Sequence, residues 1–269
     1  MSRAPSPPDR PLVAVTRAAG TNGDLSELLS VGGVEVVEVP LIRFTPPADV
    51  AAWHAVVQAR LAAGGEGWLA VTSPQGARAL REALTAVGAG PEACPLRLAV
   101  VGAGTAAVLE AAGLRPAFQP SRAEASVLGA ELPARPGEVV WHLTSQRSEP
   151  ALGAALTARG VGYRRVEAYR TEPTLLTLAE CAALRRADAV VLASGSAVRG
   201  LAAQVGVGGT VVVMGEPSAQ VARALGFGQV VVAARPGLHE LARAVLEAVP
   251  SGGTKSRPDQ LSDRSVRDE

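Results

Sequence analysis

Apolar positions along this chain gather in short runs, and longer stretches of mixed polarity separate them. Residues 12–16, 35–40, 68–72, 97–101, 138–143, 162–169, 189–193, 210–214 and 229–233 read as strands, with a shorter one at 115–119. A strand covered on both faces has no need to alternate polar with apolar residues, so these runs predict parallel sheets flanked by helices. Helical spacing fills the gaps: Gly23–Ser30 (closed by Gly32-Gly33), Val50–Ala62, and a segment led by Pro74, which suits a first helical turn. Further helices are expected up to Ala112, from near Glu124, over Glu149–Ala158 and Leu178–Arg185, after the runs ending at 193 and 214, and over Leu238–Val249. Pro46-Pro47 and Thr171-Glu172-Pro173 interrupt the pattern. Residues 1–10 and 251–269 are polar and lack a hydrophobic pattern, and read as disordered tails.

The chain repeats itself. Ala99-Val-Val-Gly102-Ala-Gly-Thr105, closed by Gly113, returns as Val212-Val-Met-Gly215-Glu-Pro-Ser218, closed by Gly226. Gly102 to Gly215, Thr105 to Ser218 and Gly113 to Gly226 share one offset, 215 − 102 = 113. Upstream, Val71-Thr-Ser73-Pro-Gln-Gly76-Ala77 pairs with Leu192-Ala-Ser194-Gly195-Ser196-Ala197. The later copy lacks two closing strands, and residues 11–42 resemble the missing pair: Val13-Ala-Val-Thr16 is like Val140-Trp-His-Leu-Thr144, and Gly33-Val34 is like Gly160-Val161. The expected layout is therefore a discontinuous α/β domain, 11–42 with 173–250, holding an inserted α/β domain, 47–168, between hinge segments 43–46 and 169–172. Two similar lobes, each a parallel β-sheet flanked by helices, would meet at a cleft across a two-strand hinge.

Composition narrows the function. Hydrophobic residues are 48% of the chain, enough for real cores, and the formal net charge of +1 gives no electrostatic case for nucleic acid or an anionic membrane. No apolar run approaches the roughly 20 residues that cross a bilayer. Residues 1–10 carry no hydrophobic signal region, so a cytoplasmic location is expected. Cys94 and Cys181 lie far apart without metal-ligand spacing and read as free buried thiols, and no Cys/His/Asp cluster suggests a metal.

Candidate chemistry sits at four helix starts carrying hydroxyl residues: Ser73, Thr105, Ser194 with Ser196, and Ser218. Capping of free backbone N–H groups explains any one of them. All four, however, are expected at the C-terminal ends of parallel strands, the ligand edge of such sheets. Helix N-termini there offer N–H groups and partial positive charge, so they hold anions without Lys or Arg. Gly102-Ala-Gly104-Thr-Ala-Ala107 also fits a dinucleotide fingerprint, but the acidic residue required after the next strand is missing, where Gln119-Pro-Ser-Arg122 stands. Tyr169, one of two tyrosines, falls where the inserted domain returns to the hinge. Packing alone would account for it; its phenol could equally donate a proton into the cleft. His54, His142 and His239 show no triad or metal spacing and read as structural.

Six motifs in this order, Val15-Thr-Arg17, Val71-Thr-Ser-Pro-Gln-Gly76, Val101-Gly-Ala-Gly-Thr-Ala106, Val166-Glu-Ala-Tyr-Arg-Thr171, Ala193-Ser-Gly-Ser-Ala197 and Gly215-Glu-Pro-Ser-Ala219, resemble the uroporphyrinogen-III synthase family over about residues 12–249. The resemblance implies an inserted two-domain architecture. It also implies an enzyme that closes linear hydroxymethylbilane to uroporphyrinogen III, inverting ring D through a spiro intermediate, with loss of water and no cofactor. It makes Tyr169 the catalytic residue and Arg17, Ser73, Gly76, Gly102, Thr105, Ser194, Gly195, Ser196, Gly215 and Ser218 the substrate-binding set. Where the family often has two threonines in the last motif, Pro217 and Ser218 stand here, which leaves the backbone N–H groups as the binding element. Single Ser→Ala changes at these helix starts are then expected to be mild, about the 0.5–2 kcal/mol of a lost cap. The expected form is a monomer, with any handover from the preceding pathway enzyme transient. The competing classes are a two-lobed anion- or nucleotide-binding protein without catalysis and a nucleotide-binding α/β enzyme, and no phosphate-loop lysine supports the latter.

Overall fold

A computed structural model describes residues 10–249, apart from residues 65, 92, 93, 149 and 236. The expected tails, Arg10 aside, and the expected helix start at Glu149 lie outside the described residues. In chain order the elements begin β1 (Leu12–Val15), α1 (Gly23–Val31), β2 (Glu35–Glu38), β3 (Ile42–Thr45) and α2 (Val50–Ala62). There follow β4 (Trp68–Val71), α3 (Pro74–Ala86), β5 (Leu98–Val100), α4 (Ala103–Ala111) and α5 (Ala125–Glu131). Next come β6 (Val139–Ser145), α6 (Ala151–Thr157), β7 (Gly162–Pro173), α7 (Leu178–Arg186) and β8 (Ala189–Leu192). The chain closes with α8 (Gly195–Gln204), β9 (Thr210–Val213), α9 (Glu216–Ala224), β10 (Gln229–Val232) and α10 (Leu238–Ala248).

These elements form two compact units, one built from the residues up to Ile42 and from Thr174 onward, the other from Arg43–Pro173. The first holds a five-stranded sheet of order β10-β9-β8-β1-β2, parallel throughout. The second holds β3-β7-β6-β4-β5, with β7, β6, β4 and β5 parallel. Their registers repeat. Val13 opposite Val36 becomes Val140 opposite Tyr163, an offset of 140 − 13 = 127 on both strands. Leu69 opposite Leu98 becomes Val190 opposite Val211, offsets of 190 − 69 = 121 and 211 − 98 = 113.

Successive strand residues feed opposite faces, which is why the runs are solidly apolar. In the first unit Val13 and Val15 pack with Leu25, Leu29, Leu241 and Val245, while Ala14 joins Leu192, Val198 and Leu201. In the second, Leu69 and Val71 pack with Leu80, Leu84 and Leu109, and Trp68 and Ala70 with Leu128, Leu152 and Leu156. Each buried leucine contributes roughly 1.5–3 kcal/mol. Helices α5 and α6 approach closely at Gly129, where a Cβ would come within 2.6 Å of Ala155.

Two expectations are corrected. Residues 115–119 do not form a strand: they give one isolated bridge, Phe118 to Ala99, at the place where Val231 of β10 pairs with Val212. Pro116 and Pro120 flank that bridge and have no N–H for a ladder. Thr171-Glu172-Pro173 does not break the chain either; β7 runs through it for 12 residues. There β3 covers β7, the side-chain amide of Gln146 bonds both the N–H and the carbonyl of Thr171 at 3.0 and 2.8 Å, and Arg43 pairs with Glu172 at 2.9 Å. The second unit thus takes in β3 from Arg43 onward and all of β7, segments that the sequence pattern assigns largely to hinge and insert.

Candidate active site

In the second unit β4 ends at Val71, and the chain turns through Thr72 and Ser73 into α3. Ser73 is extended and caps the helix, its Oγ accepting the Gly76 N–H at 3.0 Å, with Pro74 in the first turn. Gly76 suits this close approach, because a Cβ there would lie in tight contact, 3.3 Å from both Ser73 Oγ and Val71. The same Oγ stands 2.9 Å from the Tyr169 hydroxyl. Tyr169, 8% exposed on β7, is held edge-on by Phe44 of β3 with ring centroids 5.7 Å apart. Its ring forms part of a pocket of about 390 Å³ whose walls include Phe44, Trp53, His54, Gln75 and Ala83. Ser73, Gly76 and Tyr169, singled out separately in the sequence, are therefore one cluster.

Beside it lies a buried polar chain that sequence reasoning missed. His142, 2% exposed in the middle of β6, has Nε2 2.8 Å from the Thr72 hydroxyl and Nδ1 2.8 Å from the Tyr163 hydroxyl. Burial, followed by the nearby Arg165 guanidinium, pushes the imidazole down to about 4. It is neutral at pH 7, with one ring nitrogen donating and the other accepting. Arg165 is anchored on the Ser145 carbonyl and on the Ser148 hydroxyl. Burial also pushes the Tyr163 phenol up. The Tyr163 ring lies against Gly153 of α6, where a Cβ would approach it to 2.8 Å. The sequence holds one signal of this chain: a histidine interrupting an apolar strand has to find partners.

Gly102 and Gly215 are the N-caps of α4 and α9, both extended and without a side-chain cap bond. This corrects the reading of Thr105 and Ser218 as helix starts. Each is the third residue of its helix, buried, with its N–H bonded to the glycine carbonyl at 3.0 and 3.1 Å. In the first unit Ser194 does cap α8, accepting the Ala197 N–H at 3.3 Å, and its Oγ is 2.9 Å from that of Ser196. Gly195 opens α8 against α9, a Cβ there lying 3.1 Å from Val221. Arg17 follows β1, and its carbonyl accepts from Asn22, which also bonds Glu38 at 2.9 Å. In each unit the named residues lie just past the C-terminal ends of adjacent parallel strands: β4 and β5 in one, β1, β8 and β9 in the other.

Among the described residues no group of three His, Cys, Asp or Glu is placed to hold a metal, and no helix is long and apolar enough to cross a membrane. Cys181 is buried, Cys94 half-buried, and neither is in a disulfide.

The sequence profile described as uroporphyrinogen-III synthase HemD matches residues 23–243. A chloroplastic uroporphyrinogen-III synthase of Oryza sativa is 32% identical over 93% of this chain and 83% of its own length. Among solved structures, a mutant uroporphyrinogen III synthase from Thermus thermophilus superposes with a TM-score of 0.57 at 21% identity, covering 88% of this chain and 98% of that one. The Helicobacter pylori enzyme gives 0.60 at 17% identity, covering 88% and 99%. The chain therefore belongs to the uroporphyrinogen-III synthase family.

Proposed function

We propose that this chain closes linear hydroxymethylbilane to uroporphyrinogen III, with inversion of ring D and loss of water. The observation that carries the reading is the Ser73–Tyr169 pair, a phenol 2.9 Å from a helix-capping hydroxyl at the C-terminal edge of a parallel sheet. Tyr169 is the catalytic residue in this proposal. Its phenol donates a proton to the departing hydroxyl of the pyrrole-methanol, whose C–O bond is already weakened by the pyrrole nitrogen. The carbon left behind is attacked within the same molecule, so the remaining demand is orientation, worth far more than any single side chain.

The substrate has eight carboxylates. The first turns of α3, α4, α8 and α9 offer backbone N–H groups at strand C-termini, and Arg17 adds a positive charge just past β1, the neighbour of β8. We assign substrate binding to these turns, at Ser73, Gly76, Gly102, Thr105, Ser194, Gly195, Ser196, Gly215 and Ser218, with first-turn N–H groups other than the internally bonded ones of Gly76, Thr105 and Ser218 as the main contact. The working form is proposed to be a cytoplasmic monomer that meets the preceding pathway enzyme only transiently; a stable dimer on size-exclusion chromatography would count against it. The decisive experiment supplies freshly made hydroxymethylbilane and separates the product isomers by chromatography. The type III isomer is expected in excess. Only the uninverted isomer, formed at the spontaneous rate, would sink the proposal.

A further inference from the structure

We infer that Ser73 is a positioning residue for the reaction, its hydroxyl donating to the Tyr169 phenol oxygen and so leaving the phenol's own proton free for the substrate. The inference rests on the proposed role of Tyr169 and goes beyond it by fixing the direction of one hydrogen bond. Ser73 Oγ is 3.0 Å from the Gly76 N–H and 2.9 Å from the Tyr169 hydroxyl. An amide N–H can only donate, so the Ser73 oxygen is an acceptor towards Gly76. A hydroxyl that accepts one bond becomes a better donor in the next, because the bonds of a chain polarise each other. The chain then runs Gly76 N–H to Ser73 O–H to the Tyr169 oxygen, and the Tyr169 O–H is its free end. In the opposite direction the phenol proton would be spent on Ser73.

This direction also fits the charge that develops during the reaction. When the substrate's C–O bond breaks, its electron pair stays on oxygen, which takes the Tyr169 proton and leaves as water. The phenolate formed keeps the bond from Ser73, and behind Ser73 stands the positive end of the 13-residue helix α3. The substrate gives up a proton as the ring closes, and this returns to the phenolate. One water has left, and Tyr169 ends as it began. The ring is held in place throughout by its edge-on contact with Phe44.

The test is a double-mutant cycle in the full chain, measuring kcat and KM with hydroxymethylbilane and thermal unfolding by circular dichroism. Ser73→Gly is the preferred variant because glycine is accepted at an N-cap, and Ser73→Ala is its companion. Either should lower kcat about 10- to 100-fold, below the roughly 10²–10³ of a donor lost directly from the reacting oxygen because Ser73 acts through the phenol, with KM almost unchanged. Ser73→Thr, which keeps both the cap and the donor, should restore most of the rate. In a Tyr169→Phe background Ser73→Gly should change kcat by less than about twofold, since no phenolate remains to be stabilised. An equal loss in both backgrounds, or a raised KM with kcat intact, would overturn the positioning role. Tyr169→Phe at the unmodified rate overturns the underlying reading instead, and does so in that single variant.

Discussion

The two units share the register of four matched strands, β2-β1-β8-β9 and β7-β6-β4-β5, yet differ at the middle of it. Where the second unit has His142 and Tyr163, the first has Val15 and Val36 at the same 127-residue offset. Where it has Thr72, the first has Ala193, displaced by 121 like Ser73 and Ser194. The polar chain of Thr72, His142 and Tyr163 therefore has an apolar counterpart on the same backbone frame, and the fold does not need it. The serines diverge as well. Ser73 caps its helix and meets a phenol, whereas Ser194 caps its helix and meets Ser196. Strand and helix caps are thus common property of both copies, while the arrangement around Tyr169 belongs to one. A duplicated frame can carry its chemistry on one side only, because capping is satisfied by the backbone geometry that both copies retain.

The largest effect should separate the two tyrosines of the second unit. Tyr169→Phe keeps the ring and its contact with Phe44, and removes the proposed proton donor. It is expected to fold normally and to lose about 10²–10⁴-fold in rate, or somewhat less because the pyrrole already activates the leaving group. Tyr163→Phe removes the partner of a buried imidazole nitrogen. Its cost should fall on stability, about 1–3 kcal/mol, with the rate nearly untouched. A Tyr163→Phe variant that unfolds normally but loses the rate would reverse the assignment. Both readings come from one pair of measurements, turnover of hydroxymethylbilane and chemical denaturation.

Next in size is the pH dependence that His142 confers on one unit alone. Its native value is pushed down to about 4, against about 6.5 in an unfolded chain. The sign follows from proton counting. Between these values the unfolded state binds the extra proton, so the stability held above pH 6.5 is lost as the pH falls towards 4. The full difference is about 3 kcal/mol. Replacing His142 and Tyr163 with apolar residues, His142→Leu with Tyr163→Phe, moves towards the first unit and should cost little at pH 7.5, about 1 kcal/mol for the half-buried Thr72 hydroxyl that loses its partner. Urea denaturation at pH 7.5 and 4.5 should then show a smaller acid loss in the double variant. Equal losses would mean that His142 gains a proton without cost in the fold.

Much of this architecture is legible in the amino-acid sequence. The 113-residue offset between Gly102 and Gly215 reappears as strand register, and Val50–Ala62 is helical over the expected range. What misleads is local chemistry that tertiary contacts override. Thr171-Glu172-Pro173 reads as a break because proline ends most strands, but β3 runs beside β7 there and the Gln146 amide bonds both backbone groups of Thr171. Residues 115–119 read as a strand from their apolar content, and the flanking prolines reduce them to one bridge. Of the site, the hydroxyl residues stand out as motifs. The contact between Ser73 and Tyr169 does not, because 96 residues separate them and nothing in either motif refers to the other.

The smallest expected effect distinguishes a cap from its imitation. The sequence treats Ser194 and Ser218 alike, as hydroxyl residues at helix starts, but only Ser194 accepts a first-turn N–H, that of Ala197. Ser194→Ala leaves that N–H to water or without a partner, and should cost about 1 kcal/mol. Ser218 is the third residue of α9, and the cap position is taken by the extended backbone of Gly215. Ser218→Ala loses no cap bond, and alanine is the better helix former by up to about 0.5 kcal/mol. Its stability should therefore lie within about 0.5 kcal/mol of the unmodified chain. Thr105, third in α4 behind Gly102, stands in the same relation to Ser73. If binding at α9 is carried by backbone N–H groups, Ser218→Ala should also leave KM for hydroxymethylbilane within about twofold. A Ser218→Ala variant as unstable as Ser194→Ala would show that the side chain, and not the glycine backbone before it, closes the start of α9.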